Sequence, residues 1–198
     1  MSQTQSAERR LWGVSLIVAP ALLAASTFFW VRADGRVEYG AVGGTLIAVA
    51  TAFWVPAFAG LFSLVRERMP RFAAWGWLVA VYGCIGGAAF GLEGLFAEAF
   101  RISHDVRREA WAQFPVAFNL TFFWPGPLFP LSLLVLGAVL ARTRSVPAWV
   151  GALLCLAAIA FPALAAATTQ LPLGALGTLF LDPATTTIFS PIGFGPSR

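Results

Sequence analysis

A few polar side chains in a largely apolar chain could carry chemistry. Glu93 follows a long apolar run, and a carboxyl group drawn to the bilayer centre would cost at least ~2.5 kcal/mol, which makes it a candidate proton or cation site. Tyr82 and Asn119 are candidate polar contacts of that same site. His104 beside Asp105 combines the residue types of a general base or a metal site.

Each of these residues also has a simpler interpretation. Glu93 at the membrane interface would cost little and could pair with Arg101 or Arg36. His104 is the only histidine, and without a second ligand at the usual spacing it predicts a solvated imidazole on a charged face. We therefore predict no metal, cofactor or catalytic residue.

The chain lacks the residues that several enzyme classes need. It contains no lysine, which excludes Schiff-base chemistry, and it has no HExxH, GxSxG or GxxxxGK motif. Its two cysteines, Cys84 and Cys155, each lie within an apolar run, where they predict ordinary packing. A membrane enzyme that uses Glu93, His104 and Asp105 is the third of three functional hypotheses.

Composition indicates that lipid is the solvent for most of the chain. Hydrophobic residues make up 59% of the sequence, charged residues 11%, and the mean hydropathy is +0.78, whereas a soluble domain carries about 25% charged residues. All 13 basic residues are arginines, and they stand singly or in pairs between apolar runs. This distribution favours a role in membrane orientation and argues against a nucleic-acid partner.

Five apolar runs are long enough to cross a bilayer, which takes about 20 residues of helix. The first follows Arg9 and Arg10 and could be a signal peptide, but it is longer than the apolar segment of one, so we predict an uncleaved span. A short polar turn, Val31–Tyr39, follows it. The predicted spans are Leu11–Trp30, Ala41–Val65, Ala73–Leu92, Val116–Leu140 and Ala148–Thr168.

The longest polar stretch, Glu93–Gln113, separates spans 3 and 4. Its charged and apolar residues fall on different helical faces, which is the pattern of an amphipathic helix on the membrane surface. A solvated loop helix is the alternative. The charged face comprises Glu98, Arg101, Asp105 and Arg108, and the apolar face comprises Leu95, Ala99, Ile102 and Val106.

Residues 1–170 are predicted to form a single transmembrane helical domain, followed by a tail over residues 171–198. The tail is predicted to be re-entrant, interfacial or disordered, because its apolar part, Leu171–Leu181, is too short to cross a bilayer. A sixth full span would have to include Asp182 and Pro183.

Span 3 carries a candidate helix-packing face. Gly83, Gly87 and Gly91 recur at intervals of four residues, and small residues at that spacing let helix backbones approach closely in lipid. The partner is either another span of the same bundle, which we favour, or a second copy in a homodimer.

Span 4 contains a proline-rich segment over residues 123–130. Its prolines remove backbone donors and predict a break or kink, with the freed carbonyls met by neighbouring helices or by Asn119 and Thr121. The alternative is an early break at the outer membrane face and a shorter span that begins at Pro127.

The arginines of the short loops predict the orientation. With the N-terminus in the cytoplasm, seven arginines lie on the cytoplasmic side and five on the opposite side, which agrees with the positive-inside rule. The seven are Arg9, Arg10, Arg66, Arg68, Arg71, Arg142 and Arg144.

Four motifs follow one another along the chain: Arg9–Trp12, Met69–Arg71, Trp124–Pro130 and Ser145–Trp149. Their order resembles that of small uncharacterised integral membrane proteins of high-GC bacteria, over roughly Arg9 to Pro162. Such proteins usually close with a further hydrophobic span, and this chain departs from them there. The resemblance implies a bacterial plasma (inner) membrane location and brings no activity, cofactor or catalytic residue.

The sequence therefore predicts an all-α, polytopic transmembrane helical bundle of five spans, with an extracytoplasmic amphipathic helix and a sixth partial element left open. Its predicted function is that of a structural or accessory multi-pass plasma-membrane protein that contacts membrane lipid, a partner membrane protein or a second copy of itself. The alternative is a small-solute or lipophile transporter with a site at the proline-rich break of span 4, where Glu93, Asn119 and Tyr82 supply polar contacts. A polar cavity at the break would favour transport, and a packed bundle would count against it.

Overall fold

The computed structural model describes residues 3–33 and 36–168, which are helical apart from one short hairpin and the turns that connect the helices. The long helices are α1 (Gln3–Ser26), α2 (Gly40–Ser63), α3 (Pro70–Ala99), α6 (Pro125–Arg142) and α7 (Ala148–Thr168). The shorter elements are a 3-10 turn (Thr27–Phe29), β1 (Val31–Ala33), β2 (Arg36–Glu38), α4 (His104–Gln113), α5 (Pro115–Phe118) and a π turn (Asn119–Phe123).

Four helical segments are long and apolar enough to cross a membrane: Gln5–Phe29, Gly40–Ser63, Pro70–Ala99 and Pro115–Arg142. No more than 50% of the most apolar window of any of them is buried inside the protein. Much of the apolar surface of these segments is therefore not covered by the rest of the described chain. The fifth predicted run corresponds to α7, a helix of 21 residues.

Helix α3 is the centre of the bundle. It packs against α2 and against α6, while α1 packs on α2 and α7 packs on α6. An aromatic cluster joins α2 to α6 beside it: the rings of Trp54 and Phe58 meet the ring of Phe129 edge-on, with centroids 5.4 and 5.9 Å apart. All three side chains are buried, and α2, α3 and α6 share one apolar core.

Glycines bring the helix backbones into direct contact. A Cβ at Gly91 of α3 would lie 2.9 Å from the backbone nitrogen of Ala48 in α2 and closer still to the carbonyl oxygen of Gly44. A similar contact joins α6 to α7, where a Cβ at Gly137 would lie 2.8 Å from the carbonyl oxygen of Gly151. Real Cβ atoms do not approach backbone this closely, so only glycine permits these contacts.

The turn predicted over Val31–Tyr39 is an antiparallel hairpin. Strands β1 and β2 pair with Val31 opposite Glu38 and Ala33 opposite Arg36. Two strands of three residues are too short to shape the fold, but the register fixes Glu38 at the end of β2, two residues before α2 begins. The hairpin thus delivers a carboxylate to the same end of the bundle as the C-terminus of α3.

The polar stretch after span 3 is divided differently from the prediction. Helix α3 continues to Ala99, and its end is closed by hydrogen bonds from Arg101 N to Glu98 O (3.1 Å) and from Ile102 N to Ala97 O (2.9 Å). These two bonds form a Schellman cap, with Arg101 in the left-handed conformation at φ 52°. A separate helix, α4, begins only at His104, so the predicted charged face is split between two helices.

The predicted tail over residues 171–198 and the sixth partial element lie outside the described residues.

The α2–α3 contact predicts the effect of one methyl group. Gly91→Ala should lower the free energy of unfolding by about 1–3 kcal/mol, the usual cost of overpacking, because the added Cβ meets α2 backbone that cannot rotate away. The measurement is the unfolding free energy in detergent micelles.

The matched control is Gly13→Ala in α1, where an added Cβ meets no atom within 4 Å. Alanine is the better helix former by up to about 1 kcal/mol, so this variant should be neutral or slightly stabilised. Equal stability of the two variants would contradict the close contact.

Candidate functional site

The charged residues at the hairpin end of the bundle are organised around Arg107. Its Nη1 donates to Glu93 Oε1 at 2.5 Å, and its Nη2 donates to Glu38 Oε1. The Arg107 side chain is 9% exposed, and those of Glu93 and Glu38 are 17% and 18% exposed. We refer to these three residues as the Arg107 cluster.

Three separate elements supply the cluster. Glu93 comes from the last turns of α3, Glu38 from the end of β2, and Arg107 from the first turns of α4. One planar guanidinium with several donors can bind two carboxylates at once, which a point-charge ammonium does less well. The cluster therefore fastens the hairpin and α4 to the end of α3.

Burial and charge act in opposite directions on the guanidinium. Burial by itself lowers the pKa of Arg107, but hydrogen bonds and charges of Glu93 and Glu38 outweigh it, so that the pKa lies above its ordinary value. Burial also raises the pKa of the neighbouring Tyr39 phenol, and the charge of Glu93 adds to that effect. Arg107 is thus cationic and Tyr39 neutral at physiological pH.

A further carboxylate at this end caps α2. Glu98 of α3 accepts a hydrogen bond from the backbone N–H of Ala41, in the first turn of α2. Carboxylates are favoured at helix N-termini because the N–H groups there have no partner inside the helix. Gly40, with φ 67°, adopts the left-handed backbone beside Glu98 that favours glycine.

A cleft of about 330 Å³ lies beside the Arg107 cluster. It is bounded mainly by apolar side chains, including those of Phe96, Trp111 and Phe122, and Glu93 and Arg107 form its polar part. Arg107 Nε is buried and has no hydrogen-bond partner in the described part of the chain. The arrangement is an ion-pair network next to an aromatic cleft. Its charged and aromatic side chains can bind a molecule and hold it in one orientation.

The residues predicted to form one polar site lie at two different places in the bundle. Glu93 binds Arg107 rather than Arg101, and the Arg36 side chain lies outside the described residues. Tyr82 instead donates its hydroxyl hydrogen to the carbonyl oxygen of Leu120 at 2.5 Å. Glu93 lies eleven positions after Tyr82 in α3, which is roughly 16 Å along the helix.

Tyr82 satisfies a carbonyl that the π turn leaves open. Asn119 lies in this turn, and its carbonyl accepts from the N–H of Trp124, five residues later, at 2.9 Å. The next carbonyl, that of Leu120, would need the N–H of residue 125, which is a proline and has none. The Tyr82 hydroxyl supplies the missing donor.

The proline-rich segment is packed against α3. Pro125 is fully buried, and a Cβ at Gly86 would lie 2.7 Å from the Pro125 Cβ. A Cβ at Gly83 would lie 2.5 Å from the backbone nitrogen of Phe129. The irregularity predicted in span 4 is therefore a π turn ahead of the prolines, and α6 continues through Pro130 to Arg142.

The glycines of the predicted packing face meet two different helices. Gly83 lies against α6, whereas Gly87 and Gly91 lie against Thr51, Gly44 and Ala48 of α2. Both partners belong to the same chain.

His104 and Asp105 lie at the protein surface, outside the Arg107 cluster. His104 Nδ1 lies 3.7 Å from Asp105 Oδ1, and the Asp105 side chain is almost fully exposed. Among the described residues no group of three His, Cys, Asp or Glu side chains is placed to hold a metal ion.

Arg107 and Glu38 were not predicted from the sequence as site residues. Arg107 lies one position outside the predicted charged face, and Glu38 lies 69 residues before it in the chain. The available signal was the spacing of Arg107 and Trp111, which places a cation and an interfacial aromatic on one side of α4.

No family model matches the chain, and neither does any curated protein sequence or solved structure.

The Arg107 cluster predicts a large effect of removing its cation. Arg107→Gln should cost about 3–5 kcal/mol of unfolding free energy, because two partly buried carboxylates would face each other without a counter-charge. The matched control is Arg108→Gln, on the exposed side of α4, which should change stability by less than about 0.5 kcal/mol.

Thermal unfolding in the same detergent compares these two variants. The triple variant that also carries Glu38→Gln and Glu93→Gln should recover part of the loss, since it removes the unpaired charges. A loss as small as that of Arg108→Gln would show that the cluster does not hold this end together.

Proposed function

We propose that this protein is a structural or accessory component of a bacterial plasma membrane, and that it works by contacting lipid or a partner membrane protein. The proposal rests on one observation. Small residues and polar groups of the helices contact one another, whereas large apolar side chains face outward. Ile17, Trp75, Trp149 and Leu156 are among the most exposed of these. Such a surface is suited to contact rather than to chemistry.

Charge is distributed unequally between the two ends of the bundle. The α2–α3 and α6–α7 connections lie side by side, because Arg68 Nη1 donates to the carbonyl oxygen of Thr143. Together with the start of α1, these connections carry seven arginines but only Glu8 and Glu67 as acids. We call this the arginine end. The hairpin end instead balances its arginines against carboxylates, as in the Arg107 cluster.

This asymmetry supports an orientation with the N-terminus and the arginine end in the cytoplasm. Helix α7 would be the fifth span and lead away from the arginine end, since it begins just after Arg144 and has 21 residues. Helix α4 would then lie on the extracytoplasmic surface, with Trp111 at headgroup depth.

The transporter alternative gains no support from the proline-rich segment. Transporters place their sites where irregular backbone lines a cavity. Here the irregular backbone is the π turn, its open carbonyl is met by Tyr82, and the following Pro125 is buried on α3. A packed segment of this kind counts against a substrate path at that position.

Native mass spectrometry in a mild detergent, combined with solute flux in vesicles, tests the proposal. We expect a complex with lipid, with a partner protein or with a second copy, and flux no faster than through protein-free vesicles of the same composition. A lone monomer that carries a discrete small ligand and accelerates flux would overturn the accessory role and favour transport.

The orientation predicts which residues react from outside the cell. In a background of Cys84→Ala and Cys155→Ala, Asp105→Cys should react with a membrane-impermeant maleimide on intact cells, whereas Glu67→Cys should react only after lysis. Both positions are exposed, so they form a matched pair. The reverse pattern would contradict a cytoplasmic N-terminus.

A further inference from the structure

A groove of about 830 Å³ opens at the arginine end between α1, α2 and α3. Its walls are mainly apolar and include Trp12, Phe62, Trp77 and Leu78. It is the size of a small-molecule site and larger than the cleft beside the Arg107 cluster. Because it lies between membrane-spanning helices, the occupant it would meet first is a lipid.

Glycines shape the groove. A Cβ at Gly60 of α2 would lie 2.8 Å from the Trp12 Cβ, and a Cβ at Gly76 of α3 would lie 2.6 Å from the Phe62 ring. The close approach of Trp12 to α2 and of Phe62 to α3 thus depends on two residues without side chains. The walls are formed by packed helices, so the groove is part of the fold.

Two charged residues of opposite sign line the same groove. Glu8 belongs to α1, and Arg66 follows the end of α2. Both are exposed, and in the described part of the chain neither forms an ion pair with the other. A groove that presents one carboxylate and one guanidinium at its charged end matches a ligand that carries both an anion and a cation.

The aromatic residues place this charged end near the membrane surface. Trp75 and Trp77 line the groove and are 69% and 40% exposed, and exposed tryptophans of membrane proteins concentrate at headgroup depth. The apolar walls continue inward to Ala59 of α2, seven residues before Arg66, or roughly 10 Å of helix. Headgroup depth and hydrocarbon depth are both represented along the groove.

We propose that this groove binds one aminophospholipid of the phosphatidylethanolamine type. Arg66 donates charge-assisted hydrogen bonds to the phosphate, Glu8 accepts hydrogen bonds from the primary ammonium, and an acyl chain lies along the apolar walls. The inference rests on the proposed function and names the class of lipid that the protein contacts. A purely anionic lipid would satisfy Arg66 and leave the Glu8 carboxylate beside a negative headgroup.

Native mass spectrometry of the delipidated full chain tests the assignment, with phosphatidylethanolamine, phosphatidylglycerol and phosphatidylcholine of identical acyl chains titrated separately. We expect one phosphatidylethanolamine per chain, bound roughly tenfold more tightly than phosphatidylcholine, whose methylated amine has no N–H to donate. Glu8→Gln should reduce this difference, because the amide keeps a hydrogen-bond acceptor but loses the negative charge, and it should leave phosphatidylglycerol binding unchanged or stronger.

Arg66→Gln should weaken all three lipids by roughly tenfold, because they share the phosphate. Ala59→Phe, which fills the apolar part of the groove, should also weaken all three. The matched control is Arg142→Gln, an exposed arginine at the same end that does not line the groove, and it should bind lipids as the unaltered chain does.

Two results would overturn the proposal. Equal affinity for the three lipids, unaffected by Glu8→Gln and Arg66→Gln, would mean that the lipid seen is only the general solvent of the helices. Tighter binding of phosphatidylglycerol than of phosphatidylethanolamine by the unaltered chain would assign the groove to anionic lipid instead. Either result leaves the accessory role standing, whereas accelerated solute flux would overturn that role whichever lipid is bound.

Discussion

The bundle depends on the backbone contact between α2 and α3 at Gly44 and Gly91. Helices in lipid gain little from hiding apolar surface, so they associate through close van der Waals contact, which small residues allow. This contact fixes the distance between α2 and α3, and the other side chains between the two helices must pack within it. It brings Glu98 to the first turn of α2 and leaves α3 free to accept α6 through Gly83 and Gly86. A larger side chain at this crossing would push α2 away from α3 and draw Glu98 away from the first turn of α2.

The long helices were predictable because a backbone in lipid has few alternatives to a continuous helix. The end of α3 was not, since its cap uses Arg101 in the left-handed conformation instead of the glycine or proline that usually marks a stop. The π turn also escaped prediction, because the prolines that cause it lie after it. The sequence pattern predicted an irregularity in span 4 but placed it at the prolines, whereas the π turn precedes them.

The candidate site shows a second limit of sequence analysis. Tyr82 and Glu93 were singled out by residue type, and both make specific contacts, but with partners that no local spacing identifies. Periodicity describes one element at a time, whereas Arg107 joins three. The two ends of the bundle differ accordingly: at the hairpin end Arg107 pairs with Glu38 and Glu93, whereas at the arginine end Glu8 and Arg66 line one groove without pairing with each other.

The order of the Arg107 cluster along the chain has a consequence for biogenesis. Glu38 and Glu93 both precede Arg107 in the chain, so both carboxylates leave the ribosome before the guanidinium that pairs with them. Only when α4 emerges can the hairpin be fastened to α3. The late arginine therefore completes the contact between the hairpin, α3 and α4, and a chain that stalls before α4 would leave both carboxylates without this partner.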